Sequence, residues 1–346
     1  MTDRTVPSEF VRQIVALARA QGVDPDAVLH QADIAPDLLS SERARITAEQ
    51  VTALVRALWT ASGDELLGLA PLPVALGATR LIGIGVIHAP DLRTALDRFT
   101  GFQRTFPGLP RFTVTCAQGT ARVVIDTAGL RDPDAVVATS LLGGAHRLLS
   151  WAVGRRIRLE AVELPRPEPP NTDDYHEIFG APVFFDANSC AIEFDAAVLD
   201  APIVQNEEAW LAYAERAPLD MLSQRDYGVA LADRVHSILS RDLAGRAAAD
   251  DVAKTLAMSP QTLRRRLALE DTSVTQIRDA LLRDTAIASL VRGDETIEAL
   301  SLRLGFSEPS AFRRAFRRWT GSPPRAYQHR SATANPADDP ADDPEH

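Results

Sequence analysis

Cysteine is almost absent: Cys116 and Cys190 are the only two in 346 residues. That excludes a disulfide-stapled scaffold and any cysteine-rich zinc site. Long apolar runs are missing as well. The longest, residues 81–89 (LIGIGVIHA), is about half of the ~20 residues that a membrane-spanning helix needs. Glycine-rich phosphate loops are lacking: Gly83 and Gly85 are followed by no third glycine, so a dinucleotide site has no support. The start of the chain, MTDRTVPSEF, has no apolar core behind a basic segment, and no secretory signal is expected. The expected compartment is the cytoplasm, with reduced thiols. What is present is an ordinary globular balance, 45% hydrophobic and 24% charged, in a chain long enough for two or three domains.

The net charge is −10, which taken alone argues against nucleic acid. Its distribution argues the other way. Residues 1–224 carry 19 basic and 29 acidic side chains, residues 225–330 carry 18 and 13, and residues 331–346 carry none and five. A module with a balance of +5 is thus masked by acidic neighbours. Nearly all the basic side chains are arginine, which suits bidentate contacts to guanine and phosphate.

The pattern along the chain predicts a mixed fold. Residues 8–70 show helical spacing, with a capping Asp24 ahead of Pro25. Residues 72–89, rich in glycine and β-branched side chains, read as strands or an extended buried segment. A helix is expected over 92–106, a β-hairpin over 111–127 turning at Gln118-Gly119, a long helix over 134–153 and strands over 158–164, 184–185 and 190–194. The segment PRPEPPNTDDYHEIFG reads as a proline-rich connection and a short helix. The N-terminal domain, 1–224, is therefore α/β or α+β, helical over 8–70 and α/β over 71–205. An all-α domain over 225–330 follows. The tail 331–346 has no core former and is expected to be disordered.

The C-terminal part contains a duplication. Val252, Ala253, Leu256 and Ala257 match Leu300, Ser301, Leu304 and Gly305 at an offset of 48, and Leu263, Arg264, Arg265 and Leu267 match Phe312, Arg313, Arg314 and Phe316 at an offset of 49. Each copy reads as helix, tight turn, helix. Ser259 is placed to cap the second helix of the first copy ahead of Pro260, and Ser307 that of the second copy, with Glu308 and Pro309 in its first turn. Leu263 with Leu267, and Phe312 with Phe316, share a face that must pack inward. Gln261, Arg264, Arg265 and Ala268 then face outward in one copy, and Ser310, Arg313, Arg314 and Arg317 in the other. Two copies with the same spacing and the same side of presentation predict a doubled helix-turn-helix with a basic reading face; a solvated charged face would not repeat in this way.

The stretch LRLGFSEPSAFRRAFRRWTGSPPRAY, 302–327, resembles the second motif of the AraC/XylS family of transcription regulators, and the likeness covers about 228–330. It implies a seven-helix module in which a linker helix, about 274–292, sets two reading helices in successive major-groove segments roughly 34 Å apart. Carried over by position, it implies base reading by Gln261, Arg264, Arg265, Ser310 and Arg314, and phosphate contacts from Ser259, Thr262, Arg313, Arg317 and Arg318. Pro309 stands where the family often has a polar side chain, so that base contact is lost. Asp279 and Asp284 on the linker helix weaken any grip on the DNA backbone there. Upstream, LIGIGVIHAPDLRTALDRF and the block from PRPEPP to DAAVLDAPI resemble the N-terminal effector-type, arabinose-binding-like domain of the OruR-like and VirS-like branch, outside the sugar-binding cupin arrangement. That implies a ligand-responsive activator, a homodimer, a partner RNA polymerase and a small effector, apolar or amphipathic, in a pocket between helices and sheet.

Other chemistry weighs little. Tyr175, His176 and Glu177 beside Asp173 and Asp174 lack a second histidine at ligand spacing. His88 and His146 read as core or pocket-edge residues, and Cys116 and Cys190 as small buried side chains. No catalytic residue, cofactor or metal is expected. Two other readings stay open: an enzyme domain fused to a DNA-binding module, and a ligand-independent architectural protein.

Overall fold

A computed structural model of the chain describes residues 5–132, 135–169, 172, 175, 178–218, 231–241, 243, 249–268, 270 and 272–328, with the side chains of Val136 and Asp233 left out. The tail 331–346, the domain boundary at 224–225 and the cluster of Asp173, Asp174, His176 and Glu177 lie outside the described residues.

The N-terminal unit is mainly helical, as its periodicity predicts. Helices α1 (Ser8–Ala20), α2 (Pro25–Gln31) and α3 (Ala48–Ser62) pack together. Asp24 accepts a hydrogen bond from the Asp26 amide at the start of α2. A reciprocal capping box of Thr47 and Gln50 starts α3, and Gly63 at φ 67° ends it. Unforeseen are two short antiparallel strands, β1 (Thr5–Pro7) and β2 (Arg45–Thr47), which pair Val6 with Ile46.

Residues 72–89 correct the expectation of strands. They contain a helix, α4 (Ala78–Ile87). Its glycines serve close approach rather than extended backbone: a Cβ on Gly83 would lie 1.8 Å from the Trp210 ring, and one on Gly85 would lie 2.5 Å from Phe102. Trp210 and Tyr213, on the later helix Glu207–Arg216, stack on each other and pack with Trp151 into an aromatic cluster beneath α4. Helix α5 (Leu92–Phe102) starts on Asp91, which accepts from the Thr94 amide, and ends one turn earlier than the spacing predicts.

The hairpin forms as expected. Strands β3 (Phe112–Ala117) and β4 (Thr120–Ile125) are joined by Gln118 and Gly119, both at positive φ, 52° and 85°. That is the signature of a tight primed turn. With β5 (Leu159–Glu163), β6 (Val183–Phe184) and β7 (Cys190–Asp195) they make a five-stranded sheet in the order β3-β4-β7-β5-β6, antiparallel except for β5 with β6. Helix α6 (Val136–Ala152) covers one face. Along β4 the buried Ala121, Val123 and Ile125 alternate with part-exposed Thr120, Arg122 and Val124. On the open face Arg122 bridges Glu163 and Glu193. Its hydrogen bonds hold the Glu163 carboxyl down at about 2.

Three cores matter for function. One lies under the sheet and includes Leu142, Val162, Phe179 and Phe194. A small one joins Leu231, Val235, Leu239, Val252, Leu256, Leu263 and Leu267 in the first helix-turn-helix. The third is shared: Ile14, Ile46, Leu54 and Leu58 of the N-terminal unit pack with Leu282, Ala286, Ile287, Leu290, Phe312 and Phe316 of the C-terminal part. Among the described residues no helix is long and apolar enough to cross a membrane.

Candidate nucleic-acid interface

Both predicted helix-turn-helix units form. In the first, the helix Ala249–Thr255 leads to the reading helix Pro260–Ala268. In the second, Ile297–Arg303 leads to the reading helix Pro309–Thr320. The turn residues paired by the duplication, Ala257 and Gly305, both sit in the left-handed region at φ 54° and 84°. The inward residues matched by the duplication, Val252, Ala253, Leu256, Leu263 and Leu267 against Leu300, Ser301, Leu304, Phe312 and Phe316, are all buried. The linker helix Val274–Arg292 runs between the units, capped by Ser273 and ended by Gly293 at φ 69°. Together with Leu231–Leu239 this makes six α-helices among the described residues, closed by a 3₁₀ turn at Pro324–Tyr327.

On the first reading helix Gln261, Arg264, Arg265, Arg266 and Ala268 are exposed. The three arginines form no ion pair among the described residues, so their guanidinium groups are available to an anion. Ser259 caps the helix, accepting from the Thr262 amide at 3.1 Å, and its hydroxyl lies 2.8 Å from that of Thr262. The cap therefore already engages both candidate phosphate donors of this copy.

The second reading helix differs at its start. Glu308, not Ser307, is the residue before the first helical turn, and it makes no side-chain cap. Pro309 takes the first helical position, so the helix begins one residue later than the matched serines suggest. The Ser310 hydroxyl donates to Glu308 Oε2 at 3.1 Å. Arg314 and Arg317 are exposed and free of acid partners among the described residues. Arg313 reaches Glu298 Oε1 at 3.0 Å, and Arg318 lies 3.8 Å from Asp279 Oδ2 on the linker helix. A DNA phosphate would have to compete with these exposed pairs, each worth little in water.

Asp284 is a correction. It does not face the DNA side but is buried, 7% exposed, against the N-terminal unit. Its Oδ1 accepts from the Thr5 hydroxyl at 2.7 Å and from Arg283 Nε at 2.8 Å, and Arg45 Nε stands 4.0 Å away. Arg45 also donates from Nε to Thr5 Oγ1 at 2.7 Å, and its backbone amide donates to the Tyr327 hydroxyl at 3.1 Å. Ser41 Oγ donates to the Thr320 carbonyl at 3.4 Å. The clamp residues Thr5, Arg45, Ser41 and Tyr327 were not singled out from sequence. The one available signal was a charged residue inside an otherwise apolar helical stretch, DTAIASL.

The remaining candidates separate cleanly. His146 is core: 3% exposed, with Nε2–H donating to the Ile157 carbonyl at 2.8 Å and Nδ1 without a partner. Burial pushes its imidazole down to about 4. His88 is exposed and 3.0 Å from Glu207. Cys190 is buried, which raises its thiol to about 12. Cys116 is exposed rather than buried, because it lies on β3 at the edge of the sheet. Tyr175 is buried and bonded to Arg166. No group of three or more metal-ligating side chains occurs among the described residues.

A family model described as the arabinose-binding domain of AraC transcription regulator, N-terminal, matches residues 22–203. A helix-turn-helix domain model matches 252–330, which spans both units. The chain belongs to the AraC family of transcription regulators. Like other AraC-type proteins it joins an effector-type domain to a helix-turn-helix DNA-binding part. It is 23% identical to the ornithine utilization regulator of Pseudomonas aeruginosa over 94% of this chain and 97% of that protein. It is 27% identical to the transcriptional regulator VirS of Mycobacterium tuberculosis over 90% of this chain and 93% of the relative. The crystal structure of the transcriptional regulator CdpR from Pseudomonas aeruginosa aligns over 92% of this chain and 97% of that one at 22% identity, with a TM-score of 0.32.

Proposed function

We propose that this AraC-type regulator reads two adjacent major-groove segments on one face of a duplex. Gln261, Arg264 and Arg265 would contact bases in the first, and Ser310 and Arg314 in the second. Ser259, Thr262, Arg313, Arg317 and Arg318 would hold phosphates. The observation that carries this reading is the duplicated scaffold: inward apolar faces in matched positions leave an exposed arginine face on each of the two reading helices. Base contacts would supply specificity, and phosphate contacts affinity and salt dependence.

Around this core we place domains at 1–224 for effector sensing and dimerisation, 225–330 for DNA binding and 331–346 as an acidic tail. The working form is a cytoplasmic homodimer without catalytic activity that activates transcription with RNA polymerase. A small apolar or amphipathic effector, binding one arrangement of the domains better than another, would shift the population towards it. A footprint on duplexes selected by the full chain tests the reading. Two protected groove segments, centred about 10 base pairs apart on one face, are expected. Protection of a single segment would overturn it.

A further inference from the structure

The second reading helix does not end in open solvent. A loop of the N-terminal unit closes over its last turn. Gly321, which caps the helix at φ 71°, has no room for a side chain: a Cβ there would lie 2.9 Å from Ser41 Oγ and 3.4 Å from Arg43 Cβ. The Ser41 hydroxyl is bonded to the adjoining Thr320 carbonyl. The loop is held in turn by Arg45, whose amide bonds Tyr327 and whose side chain bonds Thr5, the partner of the buried Asp284. Residues 41–45 are thus held against the end of the reading helix at Thr320 and Gly321 and against Tyr327 beyond it.

Position 321 follows Ser310, Arg314 and Arg317 at eleven, seven and four residues. In a helix of 3.6 residues per turn these lie along one stripe. Arg43 therefore lies at the end of the reading stripe, its aliphatic stem against Gly321. Its side chain is exposed and forms no ion pair among the described residues. The reading helix has 12 residues, so it is ~18 Å long, against a major groove ~12 Å wide. With its first turns on base edges, its last turn leaves the groove over the flanking strand, where a cation would meet a phosphate.

We propose that Arg43, a residue of the N-terminal unit, contacts a backbone phosphate at the edge of the second half-site. This rests on the reading of residues 309–320 as a groove-binding helix and extends the DNA interface into the effector-type domain. It also gives Gly321 a reason: a Cβ there would crowd the Ser41 hydroxyl and press on the Arg43 stem.

The test uses the full chain and a duplex obtained by in vitro selection with the wild-type protein, titrated over a range of salt concentrations. Arg43→Ala should weaken binding several-fold at low salt and reduce the slope of log affinity against log salt by about 0.9. Base preference should be unchanged at every position, and so should the melting temperature. Arg43→Lys should restore most of the slope. Arg317→Ala is the reference for a phosphate contact on the helix itself. If Arg317→Ala lowers the slope and Arg43→Ala does not, the proposal is overturned. A lower melting temperature with an unchanged slope would make Arg43 a packing residue only, which also overturns it. If the wild-type protein selects no duplex, the groove-binding reading falls, and this proposal with it.

Discussion

Arg314 is exposed, has no acid partner among the described residues and stands one turn past Ser310, so the consequences of its removal can be stated. Arg314→Ala should relax base preference at one position of the second half-site by ~1–3 kcal/mol while leaving other positions alone; an unchanged selection profile would count against its placement. Arg318 differs because Asp279 stands 3.8 Å away. Arg318→Ala should weaken all duplexes alike and flatten the salt slope by about one unit, whereas Asp279→Asn should tighten them. His146 gives a prediction in pH. Its folded-state value of about 4 lies below the ordinary 6.5, so between those values the unfolded chain binds a proton that the folded chain refuses. Stability should therefore fall as pH drops from 6.5 towards 4, by roughly 3 kcal/mol in all. Denaturant titrations across that range would show the slope, and His146→Phe should reduce it, leaving what carboxylates such as Glu163 add towards the acid end. Single side chains were readable where a pattern repeated, as with the outward arginines. They were unreadable where a distant segment decided: nothing near Asp284 in sequence says that Thr5 and Arg45 will meet it.

Among the elements, the two reading helices start differently, and this sets how each responds to mutation. Ser259→Ala removes the side-chain cap at the start of residues 260–268 and should lower stability of that unit by ~1 kcal/mol. Ser307→Ala should do nearly nothing, since the helix begins beyond it; comparison of the two melting curves checks this. Gly321→Ala places a methyl group at a positive φ and against Ser41 and Arg43, and should destabilise by more than ~1 kcal/mol. The caps at Asp24 and Ser259, the Gln118-Gly119 turn and the paired apolar positions were legible because their physics is local. The helix Ala78–Ile87 was not. Its glycines look like helix breakers until Phe102 and the distant Trp210 are seen to fill the space beside them.

For the whole molecule, the charge map and the duplication together pointed to a DNA-binding part within residues 225–330. Its packing ties that part to the N-terminal unit. Leu282, Ala286, Phe312 and Phe316 share one core with Ile14, Leu54 and Leu58, so cutting the chain at residue 225 would expose that apolar face. A fragment of residues 225–330 should be less stable than the intact chain and bind an apolar dye such as ANS. Asp284→Ala in the full chain should destabilise it by removing the buried acceptor that the Thr5 hydroxyl and Arg283 share; a melting temperature equal to wild type would refute the clamp.

The two readers are thus anchored unequally. Residues 260–268 rest on a small core of their own, while residues 309–320 are welded to the first sixty residues of the chain. Regions with fewer buried contacts open first, so amides of the first reader should exchange with solvent sooner than those of the second. On a bound promoter, release would then begin at one end: the first reader would lift and reseat while the second stayed in its groove, making the regulator a hinged latch rather than a symmetrical clip.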